Sequence, residues 1–381
     1  MKEISTFSGA YFFDFFAAGG LAALFVRIAM GAGSRDASGR SWWRSTLFWT
    51  TSAFCLALPY ALTGLGSVDI YFIRDFRPLI FLLQLGVLVA LVLNTNAEII
   101  TTRFLAWLAV LAGASALIKF GIIWAGGYEQ TDVYYQESSY RYLDASAYFC
   151  AAFLLYFSCE SRSFKGQGAL SAAAITLSIA AVLITNSRFI LISIIAGMML
   201  VSNISIGRKL SLAALSAFSA TAFLAASYYF GIERVVDAFT WEGLIAQVVS
   251  RYGPALDRIS EMSTWELIFG MGQGTSFDIP WFEYRGLETS AASIDGAYFT
   301  YYVKYGIVGA AMLFAYFAAH VPLRASYRYP LGAFLGVMFF VSTTPYQPYA
   351  IGLIMAAVCF NAIKHGQHTS PAARKDIDRA A

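Results

Sequence analysis

In the stretch "SIDGAYFTYYVKYGIVG" (293–309) a single acid, Asp295, stands directly ahead of a run of aromatic rings. A carboxylate can take the proton from a hydroxyl as that hydroxyl attacks a carbon centre. Gly296 follows it and supplies flexible backbone. The same spacing fits a plainer role, because Asp before an apolar run is a common helix N-cap. Tyr298, Tyr301, Tyr302 and Tyr305, with Phe299, present faces on which sugars can stack. Aromatic residues also gather as belts at membrane–water interfaces, and for most of these rings that role is the simpler one.

A second set of residues suits an anion. Arg188 is the only charge between Gly168 and Arg208. Its guanidinium is a planar fork that matches phosphate oxygens two at a time. The alternative is an arginine that caps a helix end and reaches to the head groups. Arg251 and Arg258 lie in "SRYGPALDRISEM" (250–262), about two helical turns apart, so both fit one helix face. Exposed arginines are usually just solvated. Gly270, Gly272 and Gly274 in "IFGMGQG" (268–274) free the backbone for tight turns or for close approach to a ligand. No Gly-Lys-Ser/Thr follows, so this is not a Walker loop. Tyr140, Tyr142 and Asp144 form a lesser candidate group.

The elements that must hold these groups are apolar. The chain is 58% hydrophobic and 13% charged, against roughly 25% charged in soluble domains. Crossing the hydrocarbon core takes about 20 apolar residues. Eleven stretches qualify: 8–30, 46–64, 78–94, 104–125, 142–159, 169–186, 189–203, 210–230, 297–320, 329–344 and 347–363. This predicts an all-α polytopic membrane protein of about eleven transmembrane helices, one domain over 1–381. Arg35, Arg40, Arg44, Arg103, Arg162, Lys165, Arg208, Lys209, Arg324 and Arg328 then fall on one side with the basic tail. By the positive-inside rule the N-terminus is outside and the C-terminus inside. No basic n-region opens the chain, so no cleaved signal peptide is expected.

The one long loop, 231–296, falls outside. Within it Val235, Phe239, Leu244 and Val248 recur at helical spacing and predict one or two amphipathic helices on the outer surface. Arg188 lies between two short spans, which places it near the outer head groups, where an uncompensated guanidinium is costly. The cysteines, Cys55, Cys150, Cys159 and Cys359, sit in or beside apolar runs without a C-x-x-C pair and read as buried thiols. The net charge of +3 gives no reason to expect nucleic acid. His320, His365 and His368 fall on the inner side, and Asp376 and Asp378 lie in the basic tail, so no metal and no cofactor are expected at an outer site.

The order of these signals resembles the O-antigen polymerase and ligase superfamily, the Wzy-like repeat-unit polymerases in particular. The carriers are "TNSRF" (185–189), "SR" (250–251), "IFGMGQG" and "SIDGAYFTYYVKYGIVG". The resemblance is good over 170–320 and general before it. It implies a GT-C-like architecture at the outer face of the bacterial inner membrane. It implies inverting transfer of a glycan from one polyprenyl diphosphate carrier to the sugar of another lipid-linked repeat unit, without metal. Asp295 would then be the base, Arg188, Arg251 and Arg258 the diphosphate ligands, and Tyr298, Tyr301, Tyr302 and Tyr140 glycan contacts. A chain-length regulator and a flippase are the implied protein partners. Ligases carry His where this chain has Asp295, which favours a polymerase. Ligase activity and a lipid-linked oligosaccharide flippase are the alternatives. A flippase should show internal repeats and polar residues through many spans. No repeat is visible, and Asp14, Arg27 and Lys119 each lie near a span end.

Overall fold

The computed structural model describes Asp75, residues 100–125, 144–164, 166–185, 187–201, 205–207, 209–211, 214, 225, 229, 240–280, 289–320, 325–341 and 350–367. These residues are mostly helical. The long helices are α1 (Thr102–Trp124), α2 (Ala145–Glu160), α3 (Gly168–Leu183), α4 (Arg188–Met199) and α5 (Trp241–Glu261). A short α6 (Thr264–Phe269) follows, then α7 (Ala297–His320), α8 (Ala325–Val341) and α9 (Ala350–Gln367). Between α6 and α7 two short strands, β1 (Phe277–Asp278) and β2 (Ser290–Ala291), pair antiparallel.

Seven of the eleven predicted spans coincide with a helix to within a few residues: α1 to α4 and α7 to α9. The spans predicted at 8–30, 46–64, 78–94 and most of 210–230 lie outside the described residues, as does Tyr140. By length and composition one described helix, over Thr102–Ile122, can cross a membrane. Its outward side carries Phe104, Trp107, Leu111, Ile118 and Ile122, all exposed, while Leu105, Ala106, Ala109 and Ala116 are buried. A helix that is apolar all round belongs in a large core or in lipid.

Two cores form. The larger joins α1, α2, α3, α4, α8 and α9. At its centre Tyr156 stacks on Phe360 at 4.4 Å, and Tyr327 meets both edge-on. The Tyr327 hydroxyl donates to the Ala152 carbonyl at 3.3 Å, which satisfies a phenol buried among apolar groups. The smaller core gathers Tyr252, Ala255, Phe277, Ile279, Ile294 and Val303, and so joins α5 and the β-hairpin to α7.

Local chemistry sets the helix ends. The Asp144 carboxylate accepts from the Ala147 N–H at 3.0 Å and starts α2. Thr240 caps α5, and Ser263 with Glu266 forms a reciprocal capping box on α6. Between α3 and α4 the buried Thr185 hydroxyl donates to Val182 O at 2.6 Å and accepts from the Ser187 N–H at 3.2 Å. Those bonds tie the end of α3 to the residue that precedes α4, and Arg188 opens α4.

The amphipathic helix of the 231–296 segment is α5, and it packs on protein through other residues than the apolar positions singled out in the sequence. Val248 is half exposed, as are Ile245 and Val249, whereas Tyr252 and Ala255 are buried with Ile259 packed beside them. Apolar spacing continues on both sides of this helix, so periodicity alone did not say which side meets protein. Val235 and Phe239 lie outside the described residues.

Candidate functional site

Asp295 stands at the entrance of α7, and Arg251 reaches it from α5. Arg251 Nη1 lies 3.8 Å from Asp295 Oδ2, beyond hydrogen-bond range and within ion-pair range. The neighbours of both residues fix this geometry. The Tyr252 hydroxyl donates to the Phe340 carbonyl of α8 at 2.9 Å, and its ring packs against Phe299 and Phe340. Gly296 makes room for that ring. Its φ is +110°, and a Cβ there would lie 2.9 Å from Tyr252 Cε1 and 3.1 Å from Phe340 O. Thr300, one turn into α7, is buried and accepts the Ile294 N–H at 3.2 Å, which ties down the chain just before Asp295.

Burial raises the Tyr252 phenol above its ordinary pKa; Arg251 opposes the shift and Asp295 adds to it. Tyr252 therefore stays neutral at physiological pH and acts here as a donor to a carbonyl.

The Arg251 guanidinium also lies over the Phe189 ring, 4.8 Å from its centroid, a cation–π arrangement. Phe189 is the second residue of α4. The structure thus brings "SRF" (187–189), Arg251 and Asp295 to one place, although they are far apart in the chain. The side chain of Arg188 lies outside the described residues; its backbone starts α4, next to Phe189.

The other predicted groups divide. Arg258 turns away from the pair. Its Nε donates to Ser276 O at 3.2 Å, and its Nη1 meets Glu261 at 3.1 Å. Tyr298 is half-buried against the edge of Phe339, and Tyr302 is partly exposed, so both have surface to offer a ligand. Tyr301 does not: it is fully buried and stacks on the buried Tyr305. Aromatic spacing predicts a ring there but not the direction it faces. Asp144 caps α2 and pairs with Lys119 at 3.0 Å, a structural use of the acid.

Gly270 and Gly272 serve a close approach of backbone to backbone, while the Gly274 N–H meets the Asp75 side chain. Gly270, Gly272 and Gly274 have φ of +89°, +101° and +85°. Helix α7 is broken at Gly306, with φ +64° and ψ −172°. Around the break the Val303 carbonyl accepts from Met271 N–H at 2.8 Å, and the Lys304 carbonyl from Gly272 N–H at 3.0 Å. A Cβ on Gly270 would lie 2.2 Å from Lys304 O, and one on Gly306 2.2 Å from Ile268 O. The glycine loop crosses the helix at the break.

Two residues went unweighed in the sequence. Lys304 and Asp75 form a wholly buried ion pair. Lys304 Nζ donates to Asp75 Oδ1 at 2.7 Å and to Thr275 O at 2.7 Å, and Asp75 accepts the Gly274 N–H at 2.7 Å. A lone lysine amid five rings was the available signal for one half of this pair. Among the described residues, no three His, Cys, Asp or Glu side chains come together.

Residues 53–365 match DUF6369, a family of unknown function. The chain belongs to that family. The DUF6369 region takes in Asp75, Arg188, Arg251, Asp295 and Lys304, so the exposed pair and the buried pair both lie within it. Among curated proteins, none matches the chain.

Proposed function

We propose that this protein is a membrane-embedded glycosyltransferase that polymerises polyprenyl-diphosphate-linked oligosaccharide repeat units into a surface polysaccharide. It acts at the outer face of the bacterial inner membrane, with about eleven spans, α5 outside and the C-terminus inside. The observation that carries the reading is the Arg251–Asp295 pair beside the start of α4, where the chain sets Arg188. A carboxylate and arginines are what an inverting transfer from a diphosphate requires.

The step follows from these groups. Asp295 accepts the proton of the acceptor sugar hydroxyl. The hydroxyl oxygen attacks the anomeric carbon of the donor glycan from the face opposite the carrier. The bond from that carbon to the diphosphate oxygen breaks, and the diphosphate leaves with the electron pair. Arg251 and Arg188 offset its charge, so electrostatic stabilisation stands in for a general acid. Tyr298 and Tyr302 supply faces for the sugars.

The test is elongation by purified protein in vesicles supplied with lipid-linked repeat units, with glycan length read on a gel. Wild type should give a ladder, and should give it in excess EDTA. Asp295→Asn should lower the rate by about two to four orders of magnitude, with donor-lipid binding near wild type. A helix cap would behave otherwise, since Asn caps about as well as Asp. A full ladder from Asp295→Asn removes the base. Chelator-sensitive activity restored by magnesium would make Asp295 a metal ligand instead.

A further inference from the structure

The glycosyl-transfer step uses neither the buried ion pair nor Arg258, yet both act on the same segment of chain. Residues 271–276 run between α5 and α7 and are bonded to each. On the α7 side, Met271 and Gly272 donate their N–H groups to the carbonyls of Val303 and Lys304. The Lys304 ammonium donates to the Thr275 carbonyl, and Asp75, between the second and third predicted spans, takes the Gly274 N–H while pairing with that ammonium. On the α5 side, Arg258 Nε donates to the Ser276 carbonyl.

The placement of these bonds gives them a consequence. Helix α5 carries Arg251 about two turns before Arg258. Helix α7 carries Lys304 nine residues after Asp295. Arg251 on α5 and Asp295 just ahead of α7 thus meet at the mouth, and each helix is tied to the 271–276 segment further along. Slippage of α5 along α7 would break the Arg258 bond and separate Arg251 from Asp295 together. A buried ion pair adds little net stability, because dehydrating both charges offsets their attraction; it can instead select one arrangement. Here three segments distant in sequence must meet before either charge is satisfied.

We propose that Asp75, Lys304 and Arg258 form a clasp that holds α5 and α7 in register and keeps Arg251 within reach of Asp295. Arg258, whose spacing suggests a diphosphate ligand, is then a positioning residue. The inference rests on the glycosyl-transfer reading only for what the exposed pair does. The clasp itself is tested without substrate, so its failure and the failure of that reading are distinguishable.

The experiment places nitroxide labels at Leu256 on α5 and Ile307 on α7, both well exposed, and measures their separation by pulsed electron resonance. The wild-type background should give one narrow distribution. Arg258→Ala should shift and broaden it, and Arg258→Lys should recover part of the width. The neutral pair Asp75→Asn with Lys304→Gln, which strands no charge, should broaden it further. In the elongation assay Arg258→Ala should lower kcat by up to about a hundredfold, the scale of an ångström-sized misplacement, with KM unchanged. An unchanged distribution in Arg258→Ala overturns the clasp, whether or not the neutral pair folds. A wild-type distribution with weakened donor-lipid binding overturns it too, and returns Arg258 to the diphosphate.

Discussion

The Arg251–Asp295 pair is 29% and 40% exposed at the side chain and 3.8 Å apart, whereas both partners of the Lys304–Asp75 pair are wholly buried and within hydrogen-bond distance. Each joins a cation to an aspartate; Asp295 stands just before α7 and Lys304 lies within it. Solvent separates their roles. In the exposed pair water screens the attraction, which leaves about 0–1 kcal/mol to hold the two groups together. Arg251 can therefore exchange the carboxylate for a phosphate at small cost, as catalysis by this pair requires. In the buried pair neither charge has water to fall back on. Exchange is closed to it, and it serves to define the backbone around the Gly306 break. A wet pair suits chemistry and a dry pair suits geometry.

The largest test of that contrast is to remove one cation. Lys304→Met strands the Asp75 carboxylate in the interior and should destabilise the protein by about 3–5 kcal/mol. In practice little folded protein should accumulate, and what does should melt well below wild type in detergent. Asp295→Asn should leave the melting midpoint near wild type, because an exposed pair holds about 1 kcal/mol at most. Equal melting losses from the two substitutions would erase the distinction.

A smaller effect separates charge from shape within the exposed pair. Arg251→Lys keeps the positive charge but loses the planar fork and the stacking on Phe189. Activity should drop by the equivalent of about 2 kcal/mol, the scale of a hydrogen bond to a charged group, with no change in melting. Full activity from Arg251→Lys would mean that a point charge suffices and that the bidentate argument is wrong.

These pairs also mark how far the sequence could be read. The helices were legible, because long apolar runs and the polar "TNSR" junction set α1 to α4 and α7 to α9 within a few residues. Asp295 was legible as a lone acid at a helix mouth, and Arg251 as a cation in the segment before it. Their meeting was not, since no local pattern encodes a contact between two helices. The break at Gly306 was hidden for a related reason: "YGIVGAAM" is apolar throughout and reads as continuous helix. The three alternate glycines were visible, but the partner of Gly270 and Gly272 was another stretch of backbone, which only the crossing of the loop over α7 reveals. Lys304 and Asp75 are 229 positions apart, and each alone looks like an ordinary interfacial charge. Tyr301 shows the limit on the aromatic ladder, where helical spacing lists the rings without saying which are enclosed.

The smallest predicted effect concerns a carboxylate that belongs to neither pair. Glu266 accepts from the Ser263 N–H and from the Ser263 hydroxyl, each at 2.8 Å, and these bonds, the backbone one first, hold its carboxyl below the ordinary value of 4.5. A carboxylate whose pKa is depressed on folding adds stability above its unfolded value and loses it as pH falls through the folded one. The first turn of α6 should accordingly be best protected at neutral pH and should loosen below about pH 4.5. Amide hydrogen exchange read as protection factors along α6 measures this directly. Glu266→Gln removes the titrating group, so its protection should be lower at neutral pH and flat through the acidic range. The comparison of the two aspartate pairs demands one thing more. The bonds that hold the Glu266 carboxylate run to Ser263 and not to the Arg251–Asp295 pair or the clasp, so its neutralisation should leave elongation at neutral pH unchanged. If Glu266→Gln slows elongation while the label distance between α5 and α7 stays at its wild-type value, the acid chemistry is not confined to Asp295, and the division between a reactive exposed pair and its structural surroundings is drawn in the wrong place.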